Sequence, residues 1–146
     1  IKMRFVNITS LSALGIGNTQ CRVLRHEFTD YFTEDKPVIV NFHGYPQTIK
    51  QILFDYARHP ERFTVHGYVE TGSTTTPFDM MVRNKVDRFH LAMEAFAKAA
   101  EQGVIGDEEA QRLISGFQEK LAEHRAYVLE HGEDIAEITN WVWEQR

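Results

Sequence analysis

At 146 residues the chain has room for one domain, read here as residues 1–146, with length enough to bury a sizeable core. Its 42% hydrophobic, 12% aromatic and 25% charged make-up excludes a disordered tail, a collagen-like repeat and a disulfide scaffold. The 16 Lys and Arg face 21 Asp and Glu, and the resulting charge of −5 has the wrong sign for nucleic acid or an anionic membrane.

Met3-Arg4-Phe5-Val6-Asn7-Ile8 is a short apolar run of strand length. The chain opens at Ile1-Lys2, directly against that run, which reads as a piece of something longer. A polar, glycine-containing loop from Thr9 to Gln20 leads to a helix over Val23 to Phe32, whose apolar residues Val23, Leu24, Phe28, Tyr31 and Phe32 keep helical spacing. Pro37-Val38-Ile39-Val40-Asn41-Phe42 has the nearly continuous apolar character of a strand covered on both faces. After the turn His43-Gly44-Tyr45-Pro46, a helix over Gln47 to Ala57 places Ile49, Ile52, Leu53 and Tyr56 on one stripe. Phe63 to Val69 is the third strand. Strands alternating with helices imply parallel pairing with right-handed crossovers, half of a doubly wound α/β sheet.

The remainder is helical. Thr76-Pro77-Phe78-Asp79 starts a helix with a capping hydroxyl, a proline at the first helical position and a carboxylate in the first turn. Its stripe runs on through Met81, Val82, Phe89, Met93, Phe96 and Ala100, with a break near Asn84. A turn at Gly103 to Gly106 precedes a second long helix, capped by Asp107 and closed by Gly132. In the tail, Ile138-Thr139-Asn140-Trp141-Val142-Trp143 alternates as an edge strand or a docking segment does.

Cys21 is the only cysteine, so no intrachain disulfide forms, in keeping with a reducing, cytoplasmic compartment; its neighbours form no nucleophile signature. No apolar stretch reaches the ~18 residues of a membrane span, and no signal peptide opens the chain. Seven histidines raise the question of metal. His90 and Glu94 have two-ligand spacing but no third ligand beside them, and structural or helix-end roles explain the set more simply. Gly72-Ser73-Thr74-Thr75-Thr76 ahead of a helix invites a phosphate-loop reading, yet lacks both glycine fingerprints, and Asp79 places a repelling charge in the first turn. Topology offers more, because parallel sheets bind ligands beyond the carboxyl ends of their strands. Those ends carry Thr9 and Ser10, then His43 and Tyr45, then Glu70 through Thr75, of which Ser73, Thr74 and Thr75 are the candidate crevice residues. These polar loops make a small-molecule crevice, a surface docked on another domain, or solvated loops with local caps. No catalytic, cofactor-binding or metal-ligating residue emerges.

Several of these strings also carry a family likeness. His43-Gly44-Tyr45, Gly67-Tyr68, Gly72-Ser73-Thr74-Thr75-Thr76-Pro77-Phe78-Asp79-Met80 and Asp87-Arg88-Phe89-His90-Leu91 resemble the C-terminal domain of phosphoketolases. Glu34-Asp35-Lys36-Pro37-Val38, Gly132-Glu133-Asp134-Ile135 and Trp141-Val142-Trp143 are similar to it as well, so the likeness runs in order from Met3 to Trp143. The resemblance implies a three-layer α/β/α domain with a mostly parallel, mixed sheet of about five strands, as in the last domain of transketolase. It also implies a parent lyase that cleaves xylulose 5-phosphate, fructose 6-phosphate or both with inorganic phosphate, giving acetyl phosphate and an aldose phosphate. The parent would use thiamine diphosphate and Mg²⁺, held by upstream domains of the same polypeptide in a homodimer. The Gly-Asp-Gly…Asn signature for that cofactor is missing here, its nearest string being Gly106-Asp107-Glu108. The chain's expected role is therefore structural and dimer-supporting; the alternative is a regulatory module with a small ligand at the strand ends.

Overall fold

The computed structural model describes residues 1–14, 23–70, 72 and 74–142. They form two compact units, Ile1–Gly67 and Tyr68–Arg146. Cys21, Ser73 and Trp143 lie outside the described residues.

The first unit is α/β. Helix α1 (Arg25–Phe32), strand β1 (Val38–Phe42), helix α2 (Pro46–Tyr56) and strand β2 (Phe63–Gly67) follow one another, as the periodicity predicts. The strands pair in parallel from Val38↔Phe63 to Phe42↔Gly67, the arrangement a β-α-β crossover requires. Leu14, Phe28, Ile49, Ile52, Leu53 and Tyr56 form the core cluster. The Phe28 ring stacks on Tyr56 at 4.8 Å, and the Tyr56 hydroxyl donates to the Val23 carbonyl at 2.9 Å, so the one polar tip in this core has a partner. Gly67 is a site of close approach, since a Cβ there would meet the Gly44 carbonyl oxygen and Pro46 Cδ, each at 2.5 Å. The turn His43–Pro46 thus packs directly against the end of β2, and no larger residue fits.

Two expectations change in this unit. Residues 1–8 form no strand, and Phe5 stands 93% exposed; an apolar run becomes a strand only when a neighbouring edge takes up its amides and carbonyls. Among the described residues the sheet therefore holds two strands rather than about five, so their faces are half-buried, not covered on both sides.

The second unit is helical: α3 (Pro77–Arg83), α4 (Arg88–Glu101), α5 (Asp107–His131) and the single turn α6 (Ala136–Thr139). The break after α3 is real. Asn84 Nδ2 donates back to the Met80 carbonyl at 3.0 Å, and Lys85 adopts a left-handed φ of 56°, which turns the chain before α4. A short connection makes α4 and α5 a helical hairpin. It is filled by Phe89 and Phe96, which pack on Phe117 at 5.7 and 6.2 Å, and by the buried Ala99 and Ala110. Gly132, with φ 72°, ends α5 in the left-handed conformation expected of that position.

Two more readings need correction. Gly106, not Asp107, is the N-cap of α5; Asp107, Glu108 and Glu109 occupy its first turn, where they complement the helix dipole without capping it. Ile138 and Thr139 belong to the α6 turn and not to an edge strand. Thr139 Oγ1 returns to the Ile135 carbonyl at 3.2 Å, and Ile138 is buried, so one apolar contact and a local hydrogen bond decide for the turn.

Candidate functional site

The most organised polar cluster gathers at the start of α3, where Thr-Thr-Pro-Phe-Asp reads as a helix N-terminus. Thr76 is its N-cap, and its Oγ1 accepts from the Asp79 amide at 3.2 Å. The same hydroxyl donates to Asp134 Oδ1 at 2.5 Å, and Asp134 Oδ2 accepts from the Phe78 amide at 3.3 Å. Asp134, two residues past the glycine that closes α5, thus completes the cap of a helix far earlier in the chain. His124 Nε2 donates to Asp134 Oδ1 at 2.8 Å, and the imidazole, 0% exposed, stands edge-on to Phe78 at 5.2 Å. Its Nδ1 is buried without a partner.

Asp79 forms the second half of the cluster. Its carboxylate, 1% exposed, accepts from Thr75 Oγ1 at 2.6 Å, Arg83 Nε at 2.8 Å and Arg125 Nη1 at 3.0 Å. Burial opposes ionisation of Asp79, but the hydrogen bonds from Thr75, Arg83 and Arg125 outweigh it and hold the carboxyl below its ordinary value. Asp134 behaves alike: burial pushes it up, and the bonds from Thr76, His124 and the Phe78 amide bring it down further.

A third carboxylate works at the next helix. Asp87, 0% exposed, caps α4 by accepting from the Phe89 and His90 amides at 2.9 and 3.1 Å, and takes His90 Nδ1 at 2.5 Å. His90 is thereby drawn to Asp87. Among the described residues no group of three or more His, Cys, Asp or Glu is placed to hold a metal ion.

The expected crevice residues fall in both units. In the first, Thr9, Ser10, His43 and Tyr45 are exposed. Ser10 Oγ shares a hydrogen bond of 2.7 Å with Ser12 Oγ, and Tyr45 is the N-cap of α2. In the second, Thr74 is exposed and Thr75 is engaged by Asp79. The groups doing most in the cluster are ones the sequence did not single out as site residues: Asp79 as an acceptor, Asp87, His124, Arg125 and Asp134. Asp87 carried a readable signal, an Asp directly before a helical run. The Arg125–Asp79 and Asp134–Thr76 pairs span 46 and 58 positions and His124–Asp134 spans 10, and none of these pairings has a local signal. An open groove of about 390 Å³ on the α4–α5 hairpin, lined by Ala97, Ala100, Ala110 and Ile114 among others, involves none of these residues.

Comparison with known proteins gives the frame for this geometry. The family model described as the XFP C-terminal domain matches residues 1–143. The chain belongs to that family. It is 44% identical over 145 residues to "Probable phosphoketolase 2" of Rhizobium meliloti, a match covering 98% of this chain and 18% of that protein. It is 42% identical over 144 residues to the "Probable phosphoketolase" of Brucella suis biovar 1, with the same two coverages. The "Probable phosphoketolase" of Pediococcus pentosaceus is 41% identical over 144 residues, again covering 98% and 18%. The XFP C-terminal domain described here thus spans about 18% of the length of the curated relatives it matches. It is a phosphoketolase domain, and the Thr74–Met80 string that carried the resemblance is the segment around which its buried polar network is built.

Proposed function

We propose that this chain is the non-catalytic, structural C-terminal domain of a phosphoketolase. The parent enzyme would split xylulose 5-phosphate, fructose 6-phosphate or both with inorganic phosphate, using thiamine diphosphate and Mg²⁺ in upstream domains, and this domain would support its dimer. The mixed sheet of about five strands expected from the family belongs to the same proposal. One observation carries the reading: the buried carboxylates Asp79 and Asp87 and the half-buried Asp134 each accept hydrogen bonds that fasten helix ends or neighbouring side chains. Groups committed in this way act as fixtures of the fold rather than as acids or bases facing a substrate.

The cofactor's diphosphate and metal call for convergent oxygen ligands. Gly106 and Asp107 instead begin α5, with Asp107 exposed in its first turn. No step of the thiamine chemistry is therefore placed on residues of this chain. The test is to assay acetyl phosphate formation by the 146-residue chain, and by a full-length phosphoketolase carrying this domain with and without it. The reading predicts no turnover by the chain, and a dimer weakened when the domain is removed. Turnover by the chain, or a dimer unchanged by the deletion, contradicts it.

A further inference from the structure

Asp79 stands against two guanidinium groups and can neutralise only one of them. Arg83 Nε and Arg125 Nη1 both lie within hydrogen-bond distance of Asp79 Oδ2, and Arg125 Nη1 also reaches Oδ1 at 3.2 Å. Thr75 occupies Oδ2 as well, so the carboxylate has little left to give. Among the described residues neither arginine has a second acceptor. Each guanidinium carries five N–H donors, so most of them remain open. The carboxylate is 1% exposed, whereas the Arg83 and Arg125 side chains are 37% and 45% exposed. The anion is beneath, and the unspent donors and one unit of positive charge are at the surface, in a chain whose net charge is −5. Exposed Thr74 adjoins this pair through Thr75.

We propose that Arg83 and Arg125 form a binding site for a phosphate group, either inorganic phosphate or the phosphate of a monoester. Paired planar forks match tetrahedral oxyanions, and a buried carboxylate that fixes one nitrogen of each fork pre-orients the rest. Asp79, which in the sequence argues against an incoming phosphate, here serves to orient the two cations that would receive it. The site stands independently of the structural role proposed above, since a scaffold with or without this ligand remains a scaffold.

The experiment is a titration of the 146-residue chain, with ¹⁵N-labelled arginine, at constant ionic strength. Inorganic phosphate is expected to move the Arg83 and Arg125 Nε–H resonances saturably, with an affinity of millimolar order. Glycerol 3-phosphate is the second probe: tighter binding than inorganic phosphate assigns the site to a monoester, and equal or weaker binding assigns it to the free ion. Arg125→Gln and Arg83→Gln should each weaken phosphate by about tenfold. Arg125→Lys should recover part of the loss, and Arg112→Gln on the exposed part of α5 should change nothing. An unaltered spectrum elsewhere shows that each variant is folded. No saturable shift, an equal response to acetate, or undiminished affinity in both glutamine variants would overturn the proposal.

Discussion

The two units are built from different materials. Among the described residues of Ile1–Gly67 the buried side chains are Leu14, Phe28, Ile49, Ile52, Leu53 and Tyr56, an apolar and aromatic set. In Tyr68–Arg146 the core includes Thr76, Asp79, Asp87 and His124, the buried polar residues among those described. The first unit meets its polar needs with one half-buried arginine. Arg62 lies over the Phe63 ring at 4.3 Å and donates to the carbonyls of Phe32, Thr33 and Lys36 at 2.7 to 2.8 Å, closing the end of α1. The second unit meets its own inside, with carboxylates that join helix ends distant in sequence. The lesson concerns function. The string that looks most like chemistry, Thr75-Thr76-Pro77-Phe78-Asp79, is organised chiefly as a structural fastening, and only its arginine partners keep donors open.

The contrast predicts which substitutions hurt each unit and how. Phe28→Ala should cost about 4 kcal/mol, because a ring stacked among Phe32, Tyr56 and Phe63 leaves a cavity that neighbours refill only in part. Hydrogen exchange of the α2 amides measures it, and the first unit should lose protection before the second. Asp134→Ala should cost about 3 kcal/mol in the second unit, leaving His124 Nε2–H buried and the Phe78 amide without its acceptor. Tryptophan fluorescence follows that loss by urea unfolding, since both tryptophans, Trp141 and Trp143, belong to the second unit. A cost as small for Asp134→Ala as for an exposed carboxylate such as Glu109→Ala would erase the distinction between the units.

Acid sharpens the same comparison. Asp79 and Asp134 both have folded pKa values below the ordinary one. Their contribution is therefore fully present above the unfolded value of about 3.9 and is lost as pH falls through the folded values. Urea midpoints read by tryptophan fluorescence should drop steeply below about pH 4, and Asp134→Asn should flatten that drop. Arg62→Met should cost roughly 1–2 kcal/mol in the first unit, read by hydrogen exchange of the α1 amides. The smallest effect expected is Thr76→Ala, about 1 kcal/mol for a lost cap, read by tryptophan fluorescence.

What the sequence disclosed divides along the same line. Local signals were legible: the periodicity of α1 and α2, the parallel character of β1 and β2, the Thr76–Pro77 start, the Asn84 break and the Gly132 stop. Each depends on residues within one turn or one crossover. Met3–Ile8 misled because strand character in an apolar run is only a propensity, while a strand requires a partner. The alternation that begins at Ile138 misled because a buried Ile138 and a returning Thr139 hydroxyl place these two residues in the α6 turn. The Asp134–Thr76 and Arg125–Asp79 pairs were invisible because nothing local marks a carboxylate as the cap of a helix 58 residues earlier. The family strings did point to the right segment, without showing that buried fastening is what that segment does.

The central claim is that this XFP C-terminal domain is a structural part with no share in holding the cofactor. Calorimetric titration of the 146-residue chain with thiamine diphosphate in the presence of Mg²⁺ tests it most directly. The account predicts no saturable heat beyond dilution. Tight, Mg²⁺-dependent binding of thiamine diphosphate would contradict it.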